Sequence, residues 1–271
     1  MWARLGRELA AAVAAFPGVA GVAVRELTTG RTVGTNADAV FPTASTIKIS
    51  VLVRLLVAAA QGEVDPETQV AVHRLEKVLG SGVLAYLDGP VTLSLLNLAN
   101  LMIMVSDNTA TNACIDAAGI EATNALLATL GLRQTKLRRK MMDHLAAVRE
   151  QENVATPGEL VMLMAHLHAG RPHPAATQQC LDILRKPKNG SLRKAIPEEV
   201  PVASKPGSVG GVRCDAGIVY LARRPYAVAL MTSYAMCDAL AQEQWLIDTA
   251  QTIHRTMSAL DRSNRYGRFV Y

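Results

Sequence analysis

The distribution of apolar residues along this chain predicts an α+β fold: an antiparallel sheet built from both chain ends with flanking helices, and an all-helical domain inserted between them. Three observations predict it. Strand-like apolar segments occur only near the two ends, at 19–26 and 31–34 and again at 202–205, 215–223 and 226–234. Apolar patterns of helical length fill the middle. The 271 residues, half of them hydrophobic, suffice to bury a full core as one or two domains. Segregated strands and helices favour an α+β layering over alternating β-α-β units. The predicted boundaries are 1–44 with 186–271 for the sheet domain and 45–185 for the helical one.

Each element has its own local reason. Leu5, Leu9, Val13 and Phe16 share one helical face, and Glu8 interrupts the apolar run, so the N-terminus reads as an amphipathic helix rather than a signal peptide. Val19 to Glu26 is a strand, Thr28-Thr29-Gly30 a turn, and Arg31 to Gly34 the start of its hairpin partner. Ser45 to Gln61 is helical and ends at Gly62. Asp65 as N-cap and Pro66 at the first helical position predict a helix over Pro66 to Lys77. Further helices are predicted at Thr92 to Val105, Thr109 to Ala118 and Asn124 to Leu130. Thr156-Pro157-Gly158-Glu159 resembles a capping sequence for a helix over Leu160 to His168. Then come strands at Val202 to Lys205, Asp215 to Arg223 and Tyr226 to Tyr234, the last two joined by a tight Arg224-Pro225 turn. Gly207 to Gly211 reads as a hairpin loop, and Asp238 to Leu260 as the closing helix.

Composition narrows the function classes. The net charge of +5 is mild, and the basic clusters at Lys136 to Lys140 and Arg185 to Lys194 carry no interleaved aromatics. They read as a solvated basic face that steers anionic small molecules, not as a nucleic-acid interface. The four cysteines show no paired spacing, and Cys114 and Cys237 lie in apolar runs as small buried hydrophobes. No run approaches the ~18 apolar residues of a membrane span. His166-Leu167-His168 lacks further ligands at zinc spacing, so no metal is expected. No glycine-rich phosphate loop opens a helix, no organic cofactor is implied, and the methionine cluster at 102, 104, 141, 142, 162 and 164 reads as core packing. With no removable leader legible, a cytoplasmic location is expected, a mature secreted start being the alternative.

Three short motifs carry chemistry. Ser45-Thr46-Ile47-Lys48 opens a helix, Ser106-Asp107-Asn108 ends another, and Lys205-Pro206-Gly207-Ser208 closes a strand. On a helix Ser45 and Lys48 share a face, so a lysine amine can reach the serine hydroxyl. A serine is a weak nucleophile until a neighbouring base takes its proton, and a desolvated lysine can be that base. A helix N-terminus at Ser45 would favour a developing anion.

In this order the motifs resemble the serine-and-lysine set of class A β-lactamases and penicillin-binding proteins. The stretch from Thr92 to Ile115, with Asn112 after the SDN, and Phe41-Pro42-Thr43-Ala44 before Ser45 are similar to class A sequences, and the resemblance spans residue 20 to the C-terminus. It implies a site at the seam of the two domains, with Ser45 as nucleophile and Lys48 as its base. Ser106 would relay a proton to the leaving group, helped by Lys205. The backbone N–H groups of Ser45 and Ser208, the latter following Gly207, would form the oxyanion hole, and Asn108 would hold Lys48 or a substrate amide. The implied partner is a small molecule with an amide, ester or β-lactam acyl group, and an anionic one.

Two departures stand out. Aligning Thr135 to Arg139 onto the start of the family's loop puts Met141 where a water-activating glutamate belongs. Asp143 is then the nearest carboxylate, with Glu150 and Glu152 further on. Pro206 stands where the family has a hydroxyl residue, and Arg213 arrives one residue early, leaving Ser208 and Arg213 as carboxylate partners. A working β-lactamase, an esterase, amidase or acyl transferase on another substrate, and a slowly deacylating sensor all fit this set.

Overall fold

The computed structural model describes residues 1–270. From the N-terminus the chain forms α1 (Trp2–Ala15), β1 (Val19–Glu26), β2 (Thr32–Thr35), β3 (Phe41–Pro42) and a 3-10 turn, Ala44–Ile47. Next come α2 (Lys48–Ala60), β4 (Gln69–Val72), β5 (Val91–Ser94), α3 (Leu95–Met104), α4 (Asn108–Ala118), α5 (Ile120–Thr129) and α6 (His144–Val148). The last part holds β6 (Val154–Ala155), α7 (Pro157–His168), α8 (Pro174–Arg185), α9 (Ser191–Ala195), β7 (Val202–Val209), β8 (Val212–Val219), β9 (Tyr226–Ser233) and α10 (Ala239–Arg262). Two compact units result. One contains Met1–Thr46, Ala155–Ala165 and everything described from Asn189 onward; the other contains Ile47–Val154 and His166–Lys188.

The first unit is built on a five-stranded antiparallel sheet in the order β2-β1-β9-β8-β7. Both chain ends meet at its centre, where β1 pairs with β9 from Val19↔Ser233 to Glu26↔Tyr226. All eight residues of β9 are buried, which explains its near-continuous apolar run in place of strict alternation. One face of the sheet is covered by helices. Leu5 and Leu9 of α1, Leu192 of α9, and Leu246, Ile253 and Met257 of α10 join Val22, Val24 and Val228 in one core. Each fully buried aliphatic side chain of this kind stabilises by roughly 1.5–3 kcal/mol. Strand β7 runs on to Val209 and β8 begins at Val212, so the hairpin loop is Gly210-Gly211 alone, not the predicted 207–211. Gly211 takes φ +72°, a conformation that suits glycine in a two-residue hairpin.

In the second unit α2 is the central helix, buried from Lys48 to Val53 and again from Leu55 to Ala58. Helices α3, α4, α5 and α8 pack around it. The unit is not wholly helical. The predicted helix over 66–77 is instead strand β4 followed by a short 3-10 turn, Arg74–Glu76, and β4 pairs with β5 from Gln69↔Ser94 to Val72↔Val91. Asp65 accepts from Glu67 N at 2.9 Å within a turn instead of capping a helix. Val72 faces Val91 and Val70 faces Leu93 across the ribbon, and that pairing overrides the local capping signal. Helix α3 consequently starts at Leu95, capped by Ser94, whose Oγ accepts from Asn97 N. Helices α6, α8 and α9 have no counterpart among the predicted elements. Among the described residues no helix is long and apolar enough to cross a membrane.

Candidate active site

In the helical unit, the first residue of α2 is Lys48, which has no exposed surface. Its Nζ donates to Ser106 O at 2.7 Å and Asn108 Oδ1 at 2.9 Å, and lies 3.0 Å from Ser106 Oγ. A buried amine is tolerable only when oxygens surround it in this way. The sequence folds so as to deliver those oxygens. Ser106, between α3 and α4, takes φ +56°, a left-handed conformation that costs a non-glycine residue about 1 kcal/mol or more. Asp107 then caps α4, its Oδ1 accepting from Ala110 N at 2.9 Å, while its Oδ2 accepts from Val83 N and Leu84 N at 2.7 and 2.8 Å. Asn108 donates from N to Ser81 O at 3.0 Å and from Nδ2 to Leu79 O at 3.1 Å. The segment 78–84 is therefore stitched to the SDN motif. Sequence reasoning missed this segment; Gly80-Ser81-Gly82, with positive φ at both glycines, is the signal that marks it.

In the sheet unit, Ser45 lies in the 3-10 turn Ala44–Ile47, so the α-helix starts three residues later than predicted. Ala44 before it takes φ +44°. Thr46 ties the turn back to Thr43 O, through its N at 3.0 Å and its Oγ1 at 2.6 Å. Strand β7 passes directly against this turn. A Cβ on Gly207 would lie 2.7 Å from Ser45 N, 2.8 Å from Thr43 O and 2.9 Å from Thr46 N, so only glycine fits. The ladder explains the neighbouring positions. Tyr220 N donates to Pro201 O, and the two-residue hairpin closes at Val209↔Val212. Alternation then turns the backbone polar groups of Pro206 and Ser208 away from β8, toward the open edge of the sheet. Proline at 206 thus removes no ladder bond, and the Ser208 N–H is directed outward.

Lys205 is 1% exposed, and its Nζ donates to Pro206 O at 2.9 Å. Arg213 sits opposite Ser208 in the register, but its guanidinium is answered within the fold. Nη1 lies 3.4 Å from Glu243 Oε1, which also takes Lys194 Nζ at 2.8 Å. The residue expected to meet a substrate carboxylate is thus engaged within the fold by a glutamate thirty residues away that no local pattern announced.

The beta-lactamase enzyme family's model matches residues 4–257. The chain belongs to that family. It is 32% identical to the β-lactamase of Sphaerobacter thermophilus DSM 20745, whose crystal structure superposes with a TM-score of 0.88 over 95% of this chain and 98% of that one. The β-lactamase CARB-4 of Pseudomonas aeruginosa is 23% identical over 249 residues, 89% of this chain and 86% of its own. A leucine-to-glutamate mutant of PBP-A, solved as an acyl-enzyme complex with penicillin G, is 26% identical with a TM-score of 0.86, covering 94% of this chain and 97% of its own. The chain is thus a class A β-lactamase-family serine enzyme with the fold of that family.

This β-lactamase-family chain organises its 136–154 loop without a carboxylate at 141. Met141 is buried, and Asn112 holds both its backbone groups: Met141 N donates to Asn112 Oδ1 at 2.7 Å, and Asn112 Nδ2 donates to Met141 O at 3.2 Å. Asp143 is exposed and caps α6, its Oδ1 accepting from Ala146 N at 3.0 Å. Glu152 pairs with Arg139 at 2.5 Å, and Glu150 is exposed. Asn153 Oδ1 fixes the start of the loop by accepting from Arg138 N and Arg139 N.

Among the described residues no group of three or more His, Cys, Asp and Glu side chains could hold a metal ion. His166 Nε2 lies 3.0 Å from Leu130 O. Burial pushes the Cys114 and Cys214 thiols up to about 12 and raises that of Cys180 further. Cys237 is only half-buried, contrary to the sequence expectation, because it falls between β9 and α10 and not inside either.

Proposed function

We propose that this protein is a serine hydrolase that acts through an acyl-enzyme on Ser45, on an amide or ester such as a β-lactam, and that it deacylates slowly. The observation that carries the proposal is the buried Lys48 amine set among Ser106 O, Ser106 Oγ and Asn108 Oδ1. In the proposed reaction Ser45 Oγ bonds to the carbonyl carbon while Lys48 takes its proton, directly or through a water. The N–H groups of Ser45 and Ser208 receive the developing oxyanion. Collapse breaks the bond to the leaving nitrogen or oxygen, which takes a proton from Ser106 Oγ, and Lys48 restores that proton. Lys205 supplies positive charge for an anionic substrate. Family membership and a neighbour captured with penicillin G support a β-lactam as substrate.

Slow release follows from Met141, and weaker binding of a β-lactam carboxylate from Pro206. Met141, aligned with the family's water-activating loop position and held through its backbone by Asn112, has no group that deprotonates water. Losing a positioned general base typically costs ~10²–10⁴-fold. Pro206 offers no hydroxyl to a β-lactam carboxylate. These two residues favour a second reading, in which the acyl group goes to a nucleophile other than water or stays bound. Intact-mass spectrometry after mixing with a penicillin, and separately with a thioester, distinguishes the readings. A stable adduct on the Ser45 peptide that Ser45→Ala abolishes supports the proposal, and labelling that survives Ser45→Ala overturns it.

A further inference from the structure

The helical unit contains a cavity of about 450 Å³ that the acyl-transfer proposal does not use. Its origin is local. Helix α4 presents Thr109, Asn112, Ala113, Asp116 and Ala117 along one face, at spacings of three and four residues. Ala113 and Ala117 are too short to fill the gap to Val70 and Val72 of β4, which form part of the opposite wall. The cleft opens to solvent past Thr68, Ala71 and Asp116, which are exposed, and pockets that take small ligands run from about 300 Å³ upward.

The charges at the cavity's margin have one sign left over. Asp116 and Lys140 both line it and neutralise each other at 2.6 Å. Glu76 also lines it and is exposed; one of its oxygens accepts from His73 N at 2.7 Å, and among the described residues no cation pairs with it. An apolar cleft with an unanswered carboxylate suits an apolar body carrying one ammonium group.

Two lining residues also hold loops that border the candidate active site. Asn112 clamps the backbone of Met141 on both sides. Thr109 Oγ1 accepts from Val78 N at 3.0 Å, one residue before the segment whose carbonyls fix Asn108. We propose that this cavity binds a small hydrophobic amine, and that its occupancy is felt at the Met141 loop through Asn112.

The test is a titration of the whole, isotopically labelled protein with 2-phenylethylamine, read from backbone amide signals. The amides of Val70, Ala113 and Ala117 should shift saturably, and those of Asn112 and Met141 should follow with the same dissociation constant. 3-Phenylpropionate, similar in size and opposite in charge, should bind at least tenfold more weakly. Glu76→Gln should weaken the amine at least threefold, and Ala117→Leu, which fills the cavity, at least tenfold. Shifts located elsewhere, equal binding of the carboxylate, or unchanged affinity in either variant would overturn the site. A Met141 signal that stays still while Ala113 and Ala117 move would overturn the link to the loop. If Ala117→Leu does not fold, the surface variant Glu76→Gln decides the matter alone.

Discussion

Asp107→Ala should be among the most damaging single substitutions outside the proposed reacting groups. The carboxylate is 1% exposed and accepts from Ala110 N, Val83 N and Leu84 N at 2.7–2.9 Å. Truncation removes the α4 cap, worth ~1 kcal/mol. It also leaves two loop donors unmade, at roughly 1–3 kcal/mol for each that stays buried. Leu84 is buried, whereas Val83 is 45% exposed and can recover water. The expected loss is therefore about 2–4 kcal/mol, a large share of a typical fold stability of ~5–15 kcal/mol. Asp107→Asn keeps one acceptor oxygen and should fall about halfway. Urea unfolding followed by circular dichroism measures both, with the slope expected to stay unchanged. Because Leu79 O and Ser81 O orient Asn108, acylation of the surviving folded protein should also slow at least tenfold. A loss below ~1 kcal/mol in the alanine variant would refute the idea that this carboxylate organises the segment 78–84.

Gly207→Ala should cost ~1–3 kcal/mol and suppress labelling of Ser45, because the added Cβ meets backbone atoms of the Ser45 turn that cannot swing away; urea unfolding and adduct mass read both effects. Met141→Glu should speed deacylation ~10²-fold or more if that loop position governs water activation, measured as decay of the adduct mass. Alkylation of the native protein near pH 8 should modify Cys237 and spare Cys114, Cys180 and Cys214, whose buried thiols titrate abnormally high. The same burial makes the fold sensitive to alkali. Below about pH 8.5 the thiols are neutral in both states and their contribution is intact. Above that, the unfolded chain releases protons that the folded chain keeps to about pH 12, so stability falls by up to ~1.4 kcal/mol per unit per thiol.

The residues proposed to carry the chemistry stand out in the sequence because their spacing is short and ordered: Ser45 to Lys48, the SDN triplet, and Lys205 to Ser208. The sheet's central strands were legible because β1 and β9 are long and apolar. What the sequence hid depends on partners far along the chain. Strands β4 and β5 are four residues each, too short for alternation to outweigh the Asp65-Pro66 helix signal, and only their mutual pairing makes them strands. Helix α8 buries Thr177 and Cys180 alongside Leu181 and Leu184, so half of its inner face is small or polar and the periodicity is faint. The engagement of Arg213 by Glu243, and of Met141 by Asn112, joins residues about thirty positions apart. Neither pair leaves a local trace.

The central claim is that Ser45 acylates readily and releases slowly. Stopped-flow mixing with a chromogenic cephalosporin tests it most directly. The account predicts a burst of one equivalent of product per protein, then a slow phase that Met141→Glu accelerates, and no burst in Ser45→Ala. Rapid, burst-free turnover by the unmodified protein, with no acceleration by Met141→Glu, would contradict it.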